Sequence, residues 1–128
     1  RQFFIPGSLI RAKVDTSHPL ANGTQDEVAA SFVNSRAFEV VSIPRTREGG
    51  TEQTPEPPEQ PVETVVSYAE DEILMSGWAL GEEDHIAEKA AMMKVRLGEG
   101  SVVLFGFRPQ FRGQPRATYK LLFNSLLQ

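Results

Sequence analysis

The alternation of apolar and polar positions changes period several times along the chain, and each change predicts an element. At 8–15, Ile10, Ala12 and Val14 fall on one side while Arg11 and Lys13 fall on the other. A period of two predicts a half-buried strand. Ahead of it, Phe3-Phe4-Ile5 is apolar and runs into the turn signal Pro6-Gly7. Ser17-His18-Pro19 and Asn22-Gly23 mark 16–24 as a loop. The runs 28–32 and 37–43, rich in Val, Phe and Ile, read as two strands joined by a tight turn at Asn34-Ser35-Arg36. Strand character returns at 62–68 and again at 73–78, where Gly77 breaks the run. A short helix is predicted over 81–90, because Glu82, Glu83 and Asp84 suit the positive end of a helix dipole and Ile86 and Ala90 share a face.

The clearest local unit follows. Residues 92–97 alternate, with Met93, Val95 and Leu97 expected inward, and Gly98-Glu99-Gly100 turns the chain. The continuous apolar run 101–107 suits a buried central strand, so the two form a hairpin. A helix is predicted over 115–128, where Tyr119, Leu121, Leu122, Phe123 and Leu126 make a wide apolar stripe and Pro115 fits the first turn. The sum is α+β: a mostly antiparallel sheet of about six strands with the C-terminal helix packed on one face.

Composition alters this picture in one place. Residues 45–60 hold three Pro, two Gly, four Glu and no large apolar side chain. Such a stretch buries too little surface to offset its ordering entropy. A mobile loop is therefore expected at 45–61, inside a single domain spanning 1–128. A chain of 128 residues suits one domain with a core of its own. It opens at Arg1-Gln2-Phe3, without Met, and reads as a segment of a longer polypeptide.

Thirteen basic and seventeen acidic residues leave a net charge of −4. That balance argues against nonspecific nucleic-acid binding, which draws on cations meeting phosphates. It argues equally against docking on anionic membranes. The chain has no Cys, so thiol nucleophiles, zinc-thiolate sites, iron–sulfur clusters and disulfides are excluded.

The remaining chemistry is sparse. His85 and Glu88 spell H-x-x-E, which on a helix would aim both side chains at one cation, with His18 as the only further imidazole to complete a zinc set. Against this stands an exposed helical His beside an acidic run. Asp15, Ser17 and His18 bring triad residue types together, but neighbours on an extended segment point to opposite faces. Hydrogen bonds within their own loop are the simpler expectation. The acidic runs Glu70-Asp71-Glu72 and Glu82-Glu83-Asp84 read as solvated faces. Asn22-Gly23-Thr24 matches a glycosylation acceptor, a triplet common by chance. The most unusual stretch is 105–116, where Arg108, Arg112 and Arg116 interleave with Phe105, Phe107 and Phe111. Such interleaving also occurs in single-strand nucleic-acid platforms, but the arginines more simply brace a strand-to-helix corner, or clamp a carboxylate or phosphate.

Three strings carry a family resemblance: VDTSHPLA at 14–21, LMSGWALGEE at 74–83 and GSVVLFGFRPQFR at 100–112. They resemble the C-terminal accessory region, similar to class I glutamine amidotransferases, of bacterial zinc carboxypeptidases of the carboxypeptidase A type. The resemblance implies a parent polypeptide that uses zinc to release C-terminal residues from peptides, in a secreted or periplasmic setting. It places no catalysis in this chain. The family's ligand set needs a His downstream of H-x-x-E, and none follows Glu88; the amidotransferase nucleophile is a Cys, and there is none. The expectation is a non-catalytic module without a cofactor of its own. It would pack against the rest of the polypeptide, or bind a partner or substrate peptide, through Trp78, Arg108, Arg112 and Arg116. The alternatives are an independent small-anion binder using the Arg108–Arg116 corner, and a zinc hydrolase built on His18, His85 and Glu88.

Overall fold

A computed structural model describes residues 2–41 and 62–128. The expected mobile loop at 45–61 and the end of the predicted strand 37–43 lie outside the described residues. The elements are β1 (Ser8–Val14), β2 (Glu27–Phe32), β3 (Val62–Tyr68), β4 (Leu74–Ser76), α1 (Glu82–His85), β5 (Ala90–Leu97), β6 (Gly100–Phe105) and α2 (Tyr119–Leu126), with a 3-10 turn at Pro19–Ala21. The strands form one antiparallel sheet in the order β2-β1-β3-β5-β6, and β4 pairs β1 off that path. The sheet curls. Beyond β6 the chain returns to β2, where Arg108 N–H donates to Ser31 O at 3.0 Å. Nearby, Arg36 N–H donates to Gly106 O at 2.6 Å and closes the same end.

The core lies inside this curl. Ile10, Ala12 and Val14 are buried as their alternation predicts, facing Val28, Ala30 and Phe32 of β2 and Val66 and Tyr68 of β3. A bulge between Thr64 and Val66 shifts the β3 register against β5, and bulges of this kind bend a strand.

Several expectations are corrected here. Residues 37–41 form a single bridge, Phe38 to Ala90, rather than a strand, and Val40 and Val41 are exposed. The hairpin β5–β6 has its expected turn but the opposite phase. Met92 pairs with Phe105, and Lys94 with Val103, on the core side; Met93, Val95 and Leu97 lie on the other face, where Met93 is still buried at 5% exposure, Val95 is half-buried and Leu97 is exposed. β6 is at the end of the sheet path rather than central, and Val102 and Leu104 are 42% and 38% exposed. Helix α1 is four residues long, so it stops before Glu88.

Helix α2 begins at Tyr119, and Pro115 belongs to the preceding loop. Only Leu121 of its stripe is fully buried, while Phe123 and Leu126 are exposed. Polar side chains dock the helix instead. Asn124 donates to Leu20 O and Asn22 O, both at 2.9 Å, and Lys120 donates to Gly23 O at 2.6 Å. Among the described residues, no helix is long and apolar enough to cross a membrane.

Candidate functional site

A cleft of about 720 Å³ opens on the outer face of β1, β2 and β4. Its floor follows from strand register. Leu9 pairs with Ser31 on one side and with Ser76 on the other. Directly paired residues share a face, and Leu9 alternates with the buried residues Ser8 and Ile10, of which Ile10 belongs to the core. The row Ser76–Leu9–Ser31 therefore points away from the core. Ser31 is only 3% exposed. Among the described residues no hydrogen bond engages its hydroxyl, which opens onto the cleft.

One rim is set by a serine and a glycine. The Ser8 hydroxyl donates to Trp78 O at 2.6 Å and accepts from Trp78 N–H at 3.0 Å. This clamp requires Gly77, whose φ is +101° and where a Cβ would come within 2.5 Å of Ser8 Oγ. Trp78 is thereby held at the surface, 53% exposed, with its ring edge-on to Phe4 at 6.0 Å. Gly77 lines the cleft, and Trp78 stands next to it.

The facing wall is the loop after β6. The buried Thr118 hydroxyl donates to Pro109 O at 2.7 Å, tying this loop to the start of α2. Gln114 N–H donates to Phe111 O at 2.9 Å and tightens the turn between them. Inside that turn Arg112 sits at φ +51° and Gly113 at +73°. A left-handed Arg costs roughly 1–2 kcal/mol, a strain that the anchored loop must hold. The guanidinium carbons of Arg108 and Arg112 both lie 5.2 Å from the centre of the Phe111 ring. Cations are drawn to the negative face of an aromatic ring. Among the described residues no carboxylate pairs with Arg108, Arg112 or Arg116, although acids outnumber bases in the chain.

Phe111, Arg112, Gln114 and Pro115 line the cleft; Trp78, Arg108 and Arg116 do not. The structure thus joins Arg112 to the cleft directly, and Arg108 through the shared ring. It leaves Arg116 exposed outside it. Ser31, Leu9 and the Ser8 clamp escaped sequence reasoning. The available signal was a lone polar residue, Ser31, in the apolar run Val28-Ala29-Ala30-Ser31-Phe32.

The zinc-set residues stand apart. His18 Nδ1 accepts from Leu20 N–H at 3.1 Å, so Nε2 carries the proton and donates to Glu63 at 3.2 Å. His85 lies 5.0 Å from the Phe3 ring, and its buried Nε2 has no hydrogen-bond partner. Glu88 is beyond α1 at φ +59°, so the helical spacing that would aim it alongside His85 does not exist. Among the described residues, no three His, Asp or Glu side chains gather as metal ligands. Asp15 accepts from the Ser17 hydroxyl at 2.5 Å and from Ser17 N–H at 3.1 Å. Those two hydrogen bonds hold its carboxyl below the usual range, with His18 adding a smaller attraction. The bonding is the local loop bonding expected of it.

Compared with known proteins, the chain matches no family model, no curated protein and no solved structure.

Proposed function

We propose that the chain is a non-catalytic accessory module of a zinc metallocarboxypeptidase-like polypeptide. In this reading the parent carries the zinc and the proteolysis, in a secreted or periplasmic setting, and this module binds the remainder of that polypeptide or a peptide segment. The carrying observation is the cleft. Two of the three strings behind the resemblance meet across it, through Ser76 and Gly77 on one side and Phe111 and Arg112 on the other. α2, packed on one face of the sheet, braces the arginine loop through Thr118.

The test is association of this chain with the rest of its polypeptide. Arg108→Ala together with Arg112→Ala should weaken it about ten-fold or more, which is about 1.4 kcal/mol, with an unchanged fold by NMR. Unchanged association with a normal fold overturns the proposal. Equimolar zinc should leave the ring signals of His18 and His85 in place. Tight, saturable shifts of both would favour the hydrolase reading instead.

A further inference from the structure

We propose that the cleft is a binding site for an organic carboxylate with an apolar body, with Arg112 receiving the carboxylate. This rests on the cleft being the contact surface of the module, and it names the chemistry recognised there.

Three observations converge on one ligand class. The first is charge. Arg112 lines the cleft and, among the described residues, has no carboxylate partner. Its neighbour Arg108 is equally without one, and both crowd the same ring. Two cations beside one phenylalanine repel each other, and an anion in the cleft relieves that repulsion. The planar guanidinium fork matches a carboxylate through two parallel hydrogen bonds.

The second is the lining. Leu9, Val33, Phe111 and Pro115 give the cleft apolar walls. A small hydrophilic anion would leave these walls wet, whereas an aliphatic or alicyclic body covers them. The volume, about 720 Å³, lies within the roughly 300–1,000 Å³ typical of small-ligand sites.

The third is the Ser31 hydroxyl. The residue is 3% exposed, and its hydroxyl, without a protein hydrogen-bond partner among the described residues, opens onto the cleft. A hydroxyl on the floor of an otherwise apolar wall offers one fixed hydrogen-bonding point to a ligand that displaces the water there. A ligand oxygen takes the place of that water, so Ser31 fixes ligand orientation while Arg112 supplies attraction. The left-handed backbone at Arg112 fits the same role: strain of this kind is held where a side chain must be presented.

The experiment is an NMR titration of the whole chain, following the amide signals of Ser31, Arg112 and Gln114. Four probes separate the terms: cyclohexanecarboxylate, cyclohexanecarboxamide, inorganic phosphate, and an acetylated hexapeptide ending in a free leucine carboxylate. Cyclohexanecarboxylate should shift all three signals saturably at millimolar concentration, about ten-fold more tightly than the amide. Phosphate should not saturate. If the peptide binds more tightly than cyclohexanecarboxylate, the carboxylate comes from a chain end; if less, from a free small acid; both support the site. Arg112→Ala should lose about ten-fold in affinity, Arg112→Lys less, and Ser31→Ala about three-fold. Arg112→Gly is the folding control, because it removes the guanidinium while suiting φ +51°. It should be as stable as the parent and still fail to bind.

Equal binding of acid and amide overturns the proposal, as does phosphate binding as tightly as the acid. So does the absence of saturable shifts from any probe. If that last result accompanies weakened association of the Arg108/Arg112 double variant with the polypeptide, the module reading stands and the carboxylate reading alone fails.

Discussion

The hairpins β1–β2 and β5–β6 are paired over six residue pairs each, yet they end in opposite environments. In β1–β2 the core side is sealed, with Ile10, Ala12, Ala30 and Phe32 all but fully buried. Its outer side is partly roofed by the returning loop, which makes the cleft. In β5–β6 the face bearing Met93, Val95 and Leu97 also bears Val102 and Leu104, and Leu97 is 70% exposed. Local pattern builds both hairpins equally well. What differs is which later segment crosses each face, and that depends on the closure at Gly106 and Arg108.

That closure is where the comparison breaks most easily. A Cβ at Gly106 would stand 2.2 Å from Arg36 O and 3.1 Å from Ala91 O, both backbone atoms that cannot swing aside. Gly106→Ala should therefore cost about 3 kcal/mol or more, read from the urea midpoint, and should broaden the cleft signals of Ser31 and Arg112. Gly98→Ala, in the β5–β6 turn, meets no atom within 4 Å but has φ +59°. It should cost only about 1 kcal/mol. Equal losses would mean that the close approach at Gly106 does not hold the sheet closed.

The same contrast holds for side chains. Phe32→Ala empties a site packed edge-on against Tyr68 at 5.7 Å, and should cost about 3–5 kcal/mol. Leu104→Ala, on the outer face of β6 where the residue is 38% exposed, should cost about 1–2 kcal/mol, since less covered area is lost. A large loss at Leu104 would show that this face is covered in solution.

These outcomes bear on what the sequence could reveal. The period of β1 and its phase were both legible, because Arg11 and Lys13 sit opposite a wholly apolar set. The period of β5 was equally plain, but both of its faces carry apolar residues. Lys94 takes the core side because it lies near the open end of the curl, where its ammonium reaches Gln128. Likewise the apolar run of β6 implied a central strand, while its place in the sheet depends on nonlocal closure. The arginine loop was legible as unusual chemistry. The cleft was not, since its floor comes from pairing residues 9, 31 and 76 across three strands. H-x-x-E was only a weak alternative in the sequence, and the geometry it needs is missing because the chain leaves the helix between His85 and Glu88.

A smaller effect sharpens the view of the closed end. The Tyr68 hydroxyl donates to Arg36 O at 2.7 Å, beside the Arg36–Gly106 link. Tyr68→Phe removes that bond and should cost about 1–2 kcal/mol near neutral pH. Burial pushes the phenol well above its ordinary value of about 10. The folded chain then holds this proton after the unfolded chain has lost it, so the stabilisation is complete below pH ~10 and declines as pH rises further. The stability gap between parent and variant should accordingly narrow above pH ~10. A gap independent of pH would place the phenol in water.

The smallest effect lies at the far end of β1, where the strand runs out into its polar loop. Asp15 is exposed, and its carboxyl is held low chiefly by the Ser17 hydroxyl and then by Ser17 N–H. Whatever this adds is present above the unfolded Asp value and lost as pH falls through the lower folded one. Ser17→Ala removes the larger of the two bonds and keeps the backbone one. The Asp15 carboxyl signal should then titrate at higher pH than in the parent, yet still below an ordinary Asp, while the urea midpoint scarcely moves. A titration curve unaffected by the change would mean that the backbone amide alone shapes this turn.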